Sequence, residues 1–247
     1  MCGRFVRKTT ALEISDIFSC SLDTDELPIS FNVAPTSRVL GIINSVAGPS
    51  VVSFSWGLIP RWAPDASRAA SLINARIETV SEKPSFRDLV AQHRCVLPMD
   101  GYFEWKEQLR HDAMKPIKQP YYFSAHNQSR YSHRGVLAVA GLWTVWKDPN
   151  KSNGQVVHTA VALTTDANAM VSQIHHRMPV LLDPSGVSQW LDAKNVKPLA
   201  QIPAVDNEAL VVCAVNTKVN SSRNNGSDLI EPIDLTQTES LGELKLF

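Results

Sequence analysis

Four apolar segments follow one another in the middle of the chain and constrain its fold most strongly. They are rich in the β-branched and aromatic residues that are typical of strands, and they read CVLPMDGYFEWKE, QPYYFSA, VLAVAGLWTVW and VVHTAVALTT. Two earlier segments, RVLGII and VVSFSWGLI, flank a turn at NSVAGPS and have the same character. Strands therefore outnumber helices, without a regular alternation of the two. We predict an α+β fold in a single domain, with a largely antiparallel barrel-like or sandwich-like sheet and a few flanking helices.

Helices are predicted in four places by apolar periodicity and capping residues. The first is TTALEISDIF, where Thr10 and Glu13 have the spacing of a capping box. The others are KPSFRDLVAQH, DANAMVSQIH with Thr165 or Asp166 as its cap, and PSGVSQWLDA. The segment VNSSRNNGSD is polar and predicts a loop. We expect the domain to occupy residues 1–234 and residues 235–247 to form a mobile tail.

Composition limits the classes of protein that the chain can belong to. It has 247 residues, and 24 basic side chains balance 24 acidic ones, so any binding to nucleic acid must come from a local patch. The four cysteines form no CxxC pair, which favours reduced thiols in a cytosolic or nuclear compartment. The first residues do not resemble a signal peptide, and no apolar run approaches 18 residues. We therefore expect a soluble intracellular protein without a membrane partner.

Cys2 follows the initiating methionine directly, within the sequence MCGRF. Chain termini are generally mobile, so one interpretation is an incidental thiol. If Met1 is removed, however, Cys2 carries a free α-amine beside its thiol, and both groups are partly nucleophilic near neutral pH. The amine can attack an aldehyde to give an imine, and the thiol can then close a five-membered thiazolidine. The pattern predicts an aldehyde as the target.

Two further segments carry residues suited to proton transfer. Glu104 lies between aromatic residues of a predicted strand, where it is either partly desolvated, with a raised pKa, or directed to solvent. His175 and His176 are adjacent in QIHHRMP, so one of them at most should face a given site. The chain lacks the histidine and cysteine spacings of common metal sites. We expect an acid/base histidine, no metal and no cofactor.

Basic and aromatic residues are interleaved at several places, which is a pattern of single-strand nucleic-acid binding. Arg4 precedes Phe5, Arg61 lies between Trp56 and Trp62, and Arg76 follows Asn74. The alternative is that both tryptophans are core residues, and that the basic side chains pack their aliphatic parts across them with the charged ends in solvent.

Seven blocks in order along the chain resemble the SOS response-associated peptidase family, the abasic-site-processing proteins. The blocks are MCGRF, FNVAPTS, WGLIPRWA, INARIET, CVLPMDGYFEWK, IHHRMPVLL and VNSSRNNGSDLIEP. The resemblance implies a sensor of abasic sites in single-stranded DNA that forms a covalent DNA–protein crosslink. It implies that Cys2 is the crosslinking residue after loss of Met1, with Asn74, Glu104 and His175 in the active site. It also places Arg4, Asn32, Arg76 and Arg177 on a DNA-binding face, with Trp62 as a stacking wedge.

The resemblance leaves several alternatives and implies further properties. Because His176 follows His175 where the family usually has an acid or an amide, we assign the active imidazole to His175 from its position after Ile174. The family name implies a self-processing peptidase that removes Met1, and the imine chemistry implies weak lyase activity. We expect a monomer in the nucleoid or nucleus, with replication-fork proteins as partners. The rival functions are an N-terminal-nucleophile hydrolase, similar to glutamine amidotransferases that also begin Met-Cys-Gly, and a noncatalytic single-strand binder.

Overall fold

The computed structural model describes residues 2–108, 116–150 and 156–235. In this part of the chain the strands are β1 (Arg4–Arg7), β2 (Ser21–Leu22), β3 (Ser30–Val33), β4 (Arg38–Ser45), β5 (Gly48–Trp56), β6 (Asn74–Arg76), β7 (Arg94–Met99), β8 (Gly101–Gln108), β9 (Ile117–Ala125), β10 (Ser132–His133), β11 (Val136–Lys147), β12 (Val156–Asp166), β13 (Arg177–Pro179), β14 (Leu181–Leu182) and β15 (Leu210–Ala214). The α-helices are α1 (Ala11–Phe18), α2 (Leu89–Gln92), α3 (Ala169–Ser172) and α4 (Pro184–Leu191). Short 3₁₀ helices span Ala69–Ser71, Pro198–Gln201, Asn207–Ala209, Thr217–Asn220 and Ser227–Ile230.

The strands form two sheets. The smaller has the order β15-β9-β8-β1-β3, and every neighbouring pair in it is antiparallel. The larger follows the path β10-β11-β7-β4-β5-β12-β13, and it closes into a ring because β11 also pairs with β12. Only the pairs of β12 with β5 and β6, and of β2 with β5, are parallel among the described strands. The predicted α+β fold with a largely antiparallel sheet is confirmed.

The core has two layers, one on each face of the larger sheet. Phe5, Tyr102 and Phe123 of the smaller sheet are buried in one cluster with Leu97 and Val139 of the larger. A second cluster joins helix residues such as Ile14 and Trp190 to the opposite face of the same sheet. Residues 137–140 alternate between the two clusters, which explains why the first eight residues of β11 are apolar.

Two helices agree with their predicted starts. The Thr10 hydroxyl accepts a hydrogen bond from the Glu13 N–H at 3.2 Å, and the Glu13 carboxylate accepts one from the Thr10 N–H at 2.8 Å. This completes the capping box of α1. Asp183 caps α4 by accepting from the Gly186 N–H at 2.7 Å, and Pro184 occupies the first helical position.

Two other predicted helices are much shorter than expected. The cap of α3 is Asn168, whose side chain accepts from the Val171 N–H at 2.9 Å, instead of Thr165 or Asp166. The reason is that β12 continues to Asp166, which pairs with β13. Only residues 89–92 of KPSFRDLVAQH are helical, because turns that end on the Lys83 carbonyl occupy the preceding residues.

The segment CVLPMDGYFEWKE forms two strands with a corner between them. The Asp100 carboxylate holds the corner by accepting hydrogen bonds from the backbone N–H groups of Lys8 and Thr9, at 2.6 and 3.0 Å. Gly101 is required next, since a Cβ there would lie 2.4 Å from the Phe123 carbonyl oxygen. The corner passes the chain from the larger sheet to the smaller one, and β8 then carries Glu104.

Residues 236–247, which make up most of the expected tail, lie outside the described residues. Within the described ranges, the helices are too short and too polar to cross a membrane.

Candidate active site

Cys2 is fixed at the entrance to a central strand. β1 lies between β3 and β8 in the smaller sheet, with Phe5 opposite both Val33 and Tyr102. The side chain of Cys2, which Gly3 separates from this strand, is only 1% exposed. Its Sγ lies 3.8 Å from the Arg4 carbonyl oxygen. The expectation of a fraying terminus therefore does not apply to this residue.

Asn74 holds Cys2 from the larger sheet. It begins β6, which is fixed in parallel register against β12 with Asn74 opposite Ala162. Its Nδ2 donates a hydrogen bond of 2.8 Å to the Cys2 carbonyl oxygen. Its Oδ1 is buried and accepts no hydrogen bond from the described residues. One end of this amide thus positions Cys2, and the other end can accept a hydrogen bond from an amine.

Glu104 is buried, with a relative exposure of 2%. Of the two alternatives left by the sequence, the structure has the desolvated one. Burial raises the pKa of Glu104 to about 7, and the positive charge of the chain's amino terminus opposes this shift. A carboxyl group with such a pKa can both give and take a proton near neutral pH.

His175 is the histidine that faces Glu104. Its Nδ1 lies 3.9 Å from Glu104 Oε1 and accepts a hydrogen bond of 3.0 Å from the Arg177 N–H. The same Nδ1 lies 3.2 Å from the Arg177 carbonyl oxygen, so either tautomer of the neutral ring finds a backbone partner in Arg177. Burial, followed by nearby positive charges that include His176, lowers the pKa of His175 and favours that neutral ring. His176 is exposed and stacks on His175, with 4.4 Å between the ring centroids.

The Cys2 thiol is protonated in this environment. Burial and, after it, the negative charge of Glu104 raise the pKa of the thiol far above its ordinary value, although the positive amino terminus acts in the opposite direction. The sulfur therefore needs a base before it can act as a nucleophile. Glu104 is the carboxyl group whose negative charge raises the pKa of the thiol.

A cleft of 580 Å³ leads from solvent to this pair of acid/base groups. Its lining consists of Glu104, Trp105, Glu107, Lys118, Ser172, Ile174, His175 and His176. Within the described ranges, no cluster of three histidine, cysteine or carboxylate side chains could hold a metal ion. The cleft thus exposes both acid/base groups, Glu104 and His175, to whatever enters it.

The family profile described as SOS response associated peptidase (SRAP) matches residues 1–222. The chain belongs to the SRAP family. It is 35% identical over 236 residues to the abasic site processing protein YoqW of Bacillus subtilis, with 94% of this chain and 99% of that protein covered. It is 29% identical over 242 residues to the abasic site processing protein HMCES of Xenopus tropicalis, with 87% and 69% covered. A crystal structure of a protein from Bacteroides thetaiotaomicron superposes with a TM-score of 0.80, at 25% identity, over 94% of this chain and 100% of that one.

Two of the residues assigned to a DNA-binding face of the SRAP chain are open to solvent. Trp62 is 66% exposed, and Arg76 is exposed two residues after Asn74 on the same short strand. Trp56, in contrast, is fully buried, and its Nε1 donates to the Ile73 carbonyl oxygen at 3.1 Å. The core alternative therefore applies to Trp56 and not to Trp62.

Arg4 and Asn32 lie in the hydrogen-bond network that holds residues 216–225. Arg4 donates to Asn32 Oδ1 at 2.7 Å and to the Val219 carbonyl oxygen at 3.0 Å. The buried Asn32 amide donates to the carbonyl oxygens of Val219, Ser221 and Asn224 at 3.0–3.2 Å. That these two residues contact DNA stays a prediction, and their observed bonds shape the loop beside β1.

Arg177 is engaged with carboxylates in the structure. It is 4% exposed, and its guanidinium donates to Glu78 at 2.8 and 2.9 Å and to Asp166 at 2.5 Å. It also donates to the Thr164 carbonyl oxygen at 2.8 Å. A DNA contact by Arg177 stays a prediction, whereas its backbone N–H orients the ring of His175.

Sequence reasoning missed Tyr102 as part of the site. It is fully buried in the cluster that contains Cys2, and it precedes Glu104 by two residues on β8. The available signal was the period of a strand, which places residues two apart on the same face.

Proposed function

We propose that the chain recognises abasic sites in single-stranded DNA and shields them by a covalent thiazolidine crosslink through Cys2, after Met1 has been removed. The observation that carries the proposal is the Asn74 amide, whose 2.8 Å hydrogen bond fixes Cys2 near buried Glu104 and half-buried His175. The names of the relatives, both abasic site processing proteins, support the choice of substrate.

The first step is opening of the abasic sugar. An abasic deoxyribose is mostly a closed hemiacetal, so its ring oxygen must gain a proton and its hydroxyl must lose one before the aldehyde is free. Glu104, with a pKa of about 7, is ionised and protonated in similar amounts at neutral pH and is suited to exchange both protons.

The second step joins the protein to C1′. The Cys2 amine attacks the aldehyde carbon, and Asn74 Oδ1 accepts a hydrogen bond from that amine. The attack gives an alkoxide and an ammonium nitrogen. Protonated Glu104 neutralises the alkoxide, and neutral His175 takes a proton from the nitrogen. The imidazolium then gives that proton to the hydroxyl, which leaves as water, so that a protonated imine, neutral His175 and ionised Glu104 remain. The thiol of Cys2 then gives its proton to Glu104, the sulfur bonds to C1′, and the π electrons of the imine return to nitrogen.

Recognition of the DNA strand is assigned to the exposed side chains near the site. Trp62 offers a flat surface on which an unpaired base can stack, and Arg76 offers a cation for a phosphate. Arg4, Asn32 and Arg177 are proposed to shape or to contact the same face.

Intact mass measurement after incubation with single-stranded DNA containing one abasic site tests the proposal. The expected species has the mass of the protein without Met1 plus the DNA, less one water, and it survives heating. Retention of Met1 in a crosslinked species would contradict the proposal. Release of the DNA on denaturation would instead indicate a noncatalytic binder, and a positive assay for glutamine hydrolysis would indicate an N-terminal-nucleophile hydrolase.

The Cys2→Ala variant separates the two stages of the reaction. It keeps an α-amine once Met1 is lost, so it should form an imine that borohydride traps, but it lacks the thiol that closes the ring. The uncapped imine acidifies the C2′ hydrogens, and loss of one expels the 3′ phosphate. We therefore expect no heat-stable adduct and more strand cleavage than with the parent protein. A heat-stable adduct formed by Cys2→Ala without reduction would contradict the thiazolidine.

Further properties belong to the same proposal. Glu104 and His175 are placed to assist self-removal of Met1, and weak lyase activity follows from the imine. We propose a domain of residues 1–234 that acts as a monomer at the nucleoid or in the nucleus, with replication-fork proteins as partners.

A further inference from the structure

The hydroxyl group of Tyr102 is buried and makes no hydrogen bond to any described residue. Two other tyrosines differ in this respect, since Tyr122 donates to the Asp100 carbonyl oxygen at 2.9 Å and Tyr131 to the Ala204 carbonyl oxygen at 3.3 Å. An unsatisfied buried hydroxyl has a desolvation cost that destabilises the folded state. A phenylalanine would fill the same space without that cost. We therefore expect the hydroxyl to gain a hydrogen-bond partner in another state of the site.

The position of Tyr102 indicates which partner that is. It lies opposite Phe5 of β1, the strand that begins two residues after Cys2, and it shares a face of β8 with Glu104. Its ring is held by stacking on Phe123, with 5.0 Å between centroids and 7° between planes. Because Tyr102 is fully buried, DNA in the cleft does not reach it. The neighbouring groups that change during the proposed reaction are Cys2 and Glu104.

The Cys2 sulfur loses its present contact when it ionises. As a thiol it lies 3.8 Å from the Arg4 carbonyl oxygen and can donate to it. A thiolate has no proton to donate and is repelled by that oxygen, so it needs a donor instead. Burial, and after it the negative charges of Cys2 and Glu104, hold the pKa of Tyr102 well above its ordinary value. The phenol therefore keeps its proton and stays a donor.

We propose that Tyr102 is a positioning residue whose O–H donates a hydrogen bond to the Cys2 sulfur as the thiol becomes a thiolate. The inference rests on the proposed function for the step in which it matters, which is closure of the ring. In that step the S–H bond breaks, its proton passes to Glu104, and the sulfur electron pair forms the bond to C1′. Tyr102 keeps its own proton and supplies only the hydrogen bond.

Alkylation of Cys2 in the protein alone tests the effect on the thiol. Tyr102→Phe, which removes only the hydroxyl, and the parent are treated with iodoacetamide between pH 6 and 10, and the modified N-terminal peptide is quantified by mass spectrometry. We expect the variant to react about 10- to 100-fold more slowly at pH 8, the range for a lost hydrogen bond to a charged group. We expect its pH profile to move upward, with its circular dichroism unchanged.

Tyr122→Phe is the matched control, because it removes a buried hydroxyl of β9 that is bonded to the Asp100 backbone carbonyl, at the corner between β7 and β8. It should lower the melting temperature and leave the alkylation profile of Cys2 unchanged. Identical profiles for Tyr102→Phe and the parent would overturn the inference, as would an equal shift in Tyr122→Phe.

The reaction with abasic DNA gives the second readout. Tyr102→Phe should form the borohydride-trapped imine at the parental rate and the heat-stable adduct more slowly. Equal slowing of both products would overturn a role in ring closure. If the parent forms neither product, the proposed function fails, whereas the alkylation profile of the protein alone still decides whether Tyr102 acts on the thiol.

Discussion

Glu104 links the chemistry of the site to the stability of the fold. Its burial raises its pKa to about 7 from an ordinary value of 4.5, so the native state binds this proton more tightly than the unfolded chain does. Between these two pH values the free energy of unfolding falls as the pH rises. The favourable contribution is complete below about pH 4.5 and is lost as the pH passes 7. The ionised form of Glu104, which accepts a proton in the proposed reaction, is therefore the form that lowers the free energy of unfolding.

Glu104→Gln should remove this pH dependence. As the pH rises from 5 to 8, the free energy of unfolding of the variant should increase relative to that of the parent by up to about 3 kcal/mol. Urea denaturation at both pH values measures it. Glu107→Gln, at an exposed position on the same strand, is the control. Its free energy of unfolding should vary with pH as that of the parent does. The assigned burial of Glu104 is wrong if both variants behave alike.

The two adjacent histidines should differ in their effect on crosslinking. His175→Ala removes the ring that lies 3.9 Å from Glu104, and it should slow formation of the adduct by about 10²–10⁴-fold, as loss of an acid/base group does. His176→Ala removes only an exposed ring that stacks on His175, so its effect should be much smaller. Single-turnover rates with abasic DNA measure both, and a larger effect of His176→Ala would reverse the assignment.

Individual residues were predictable from the sequence only where their chemistry is local. The amine and thiol of Cys2 follow from its place after Met1, whereas the pairing of His175 with Glu104 depends on how the segment between α3 and β13 meets β8. Arg177 was expected on a DNA-facing surface, and the carboxylates that surround it come from β12 and from a turn after β6. Such partners are fixed by tertiary packing, which a single sequence does not display.

At the scale of elements, the connection between β5 and β6 positions both Trp62 and Asn74. It starts at Gly57, where φ is +130° and a Cβ would lie 2.3 Å from the Ala69 carbonyl oxygen. It ends with Ile73, whose carbonyl accepts from the ring of Trp56. A close approach of backbone to backbone at Gly57 therefore sets the path of a segment that carries both a proposed stacking residue and the amide that holds Cys2.

Gly57→Ala should disturb this connection. We expect a loss of stability above about 3 kcal/mol, because the new methyl group adds a clash to the strain of a positive φ. Gly48→Ala is the matched control: φ there is +107°, but nothing lies within 4 Å of the new Cβ, so only the conformational strain of about 1–3 kcal/mol applies. Thermal unfolding compares them, and equal losses would mean that the connection shifts freely.

Elements were predicted well where local signals and tertiary contacts agree. The capping box of α1 and the Asp–Pro start of α4 are complete in the sequence, and both helices form there. The segment 166–175 has a helical pattern, but its first residue pairs with Arg177 in the sheet, so the helix is reduced to one turn. The corner at Asp100 was missed because its partners, Lys8 and Thr9, lie more than ninety residues away.

At the scale of the whole molecule, equal numbers of acidic and basic residues leave no net charge to attract DNA. The proposed binding must then depend on cations near the site, and we expect only a few phosphates to be contacted. Since Arg177 is occupied by carboxylates, exposed Arg76 is expected to contribute more to this local charge.

The salt dependence of DNA binding tests this view. For two to four contacted phosphates, the logarithm of affinity for single-stranded DNA should fall with the logarithm of salt concentration with a slope between about −1.4 and −2.8. Arg76→Ala should reduce the magnitude of the slope by about 0.7 without changing the melting temperature. Fluorescence anisotropy at several salt concentrations measures it. An unchanged slope would place Arg76 outside the contact, and equal affinity for duplex DNA would argue against stacking on Trp62.

The burial of Cys2 also sets an order of events during synthesis. The strand that follows it is completed by β3 and β8, and its carbonyl is held by Asn74, so its partners emerge from the ribosome long after it does. Until then the bond before Cys2 is open to any aminopeptidase. Once β8 is in place, Cys2 is buried and less accessible to other enzymes. Under the self-processing proposed above, the relative rates of an external aminopeptidase and of folding then decide how Met1 is removed: the chains that fold first depend on their own active site.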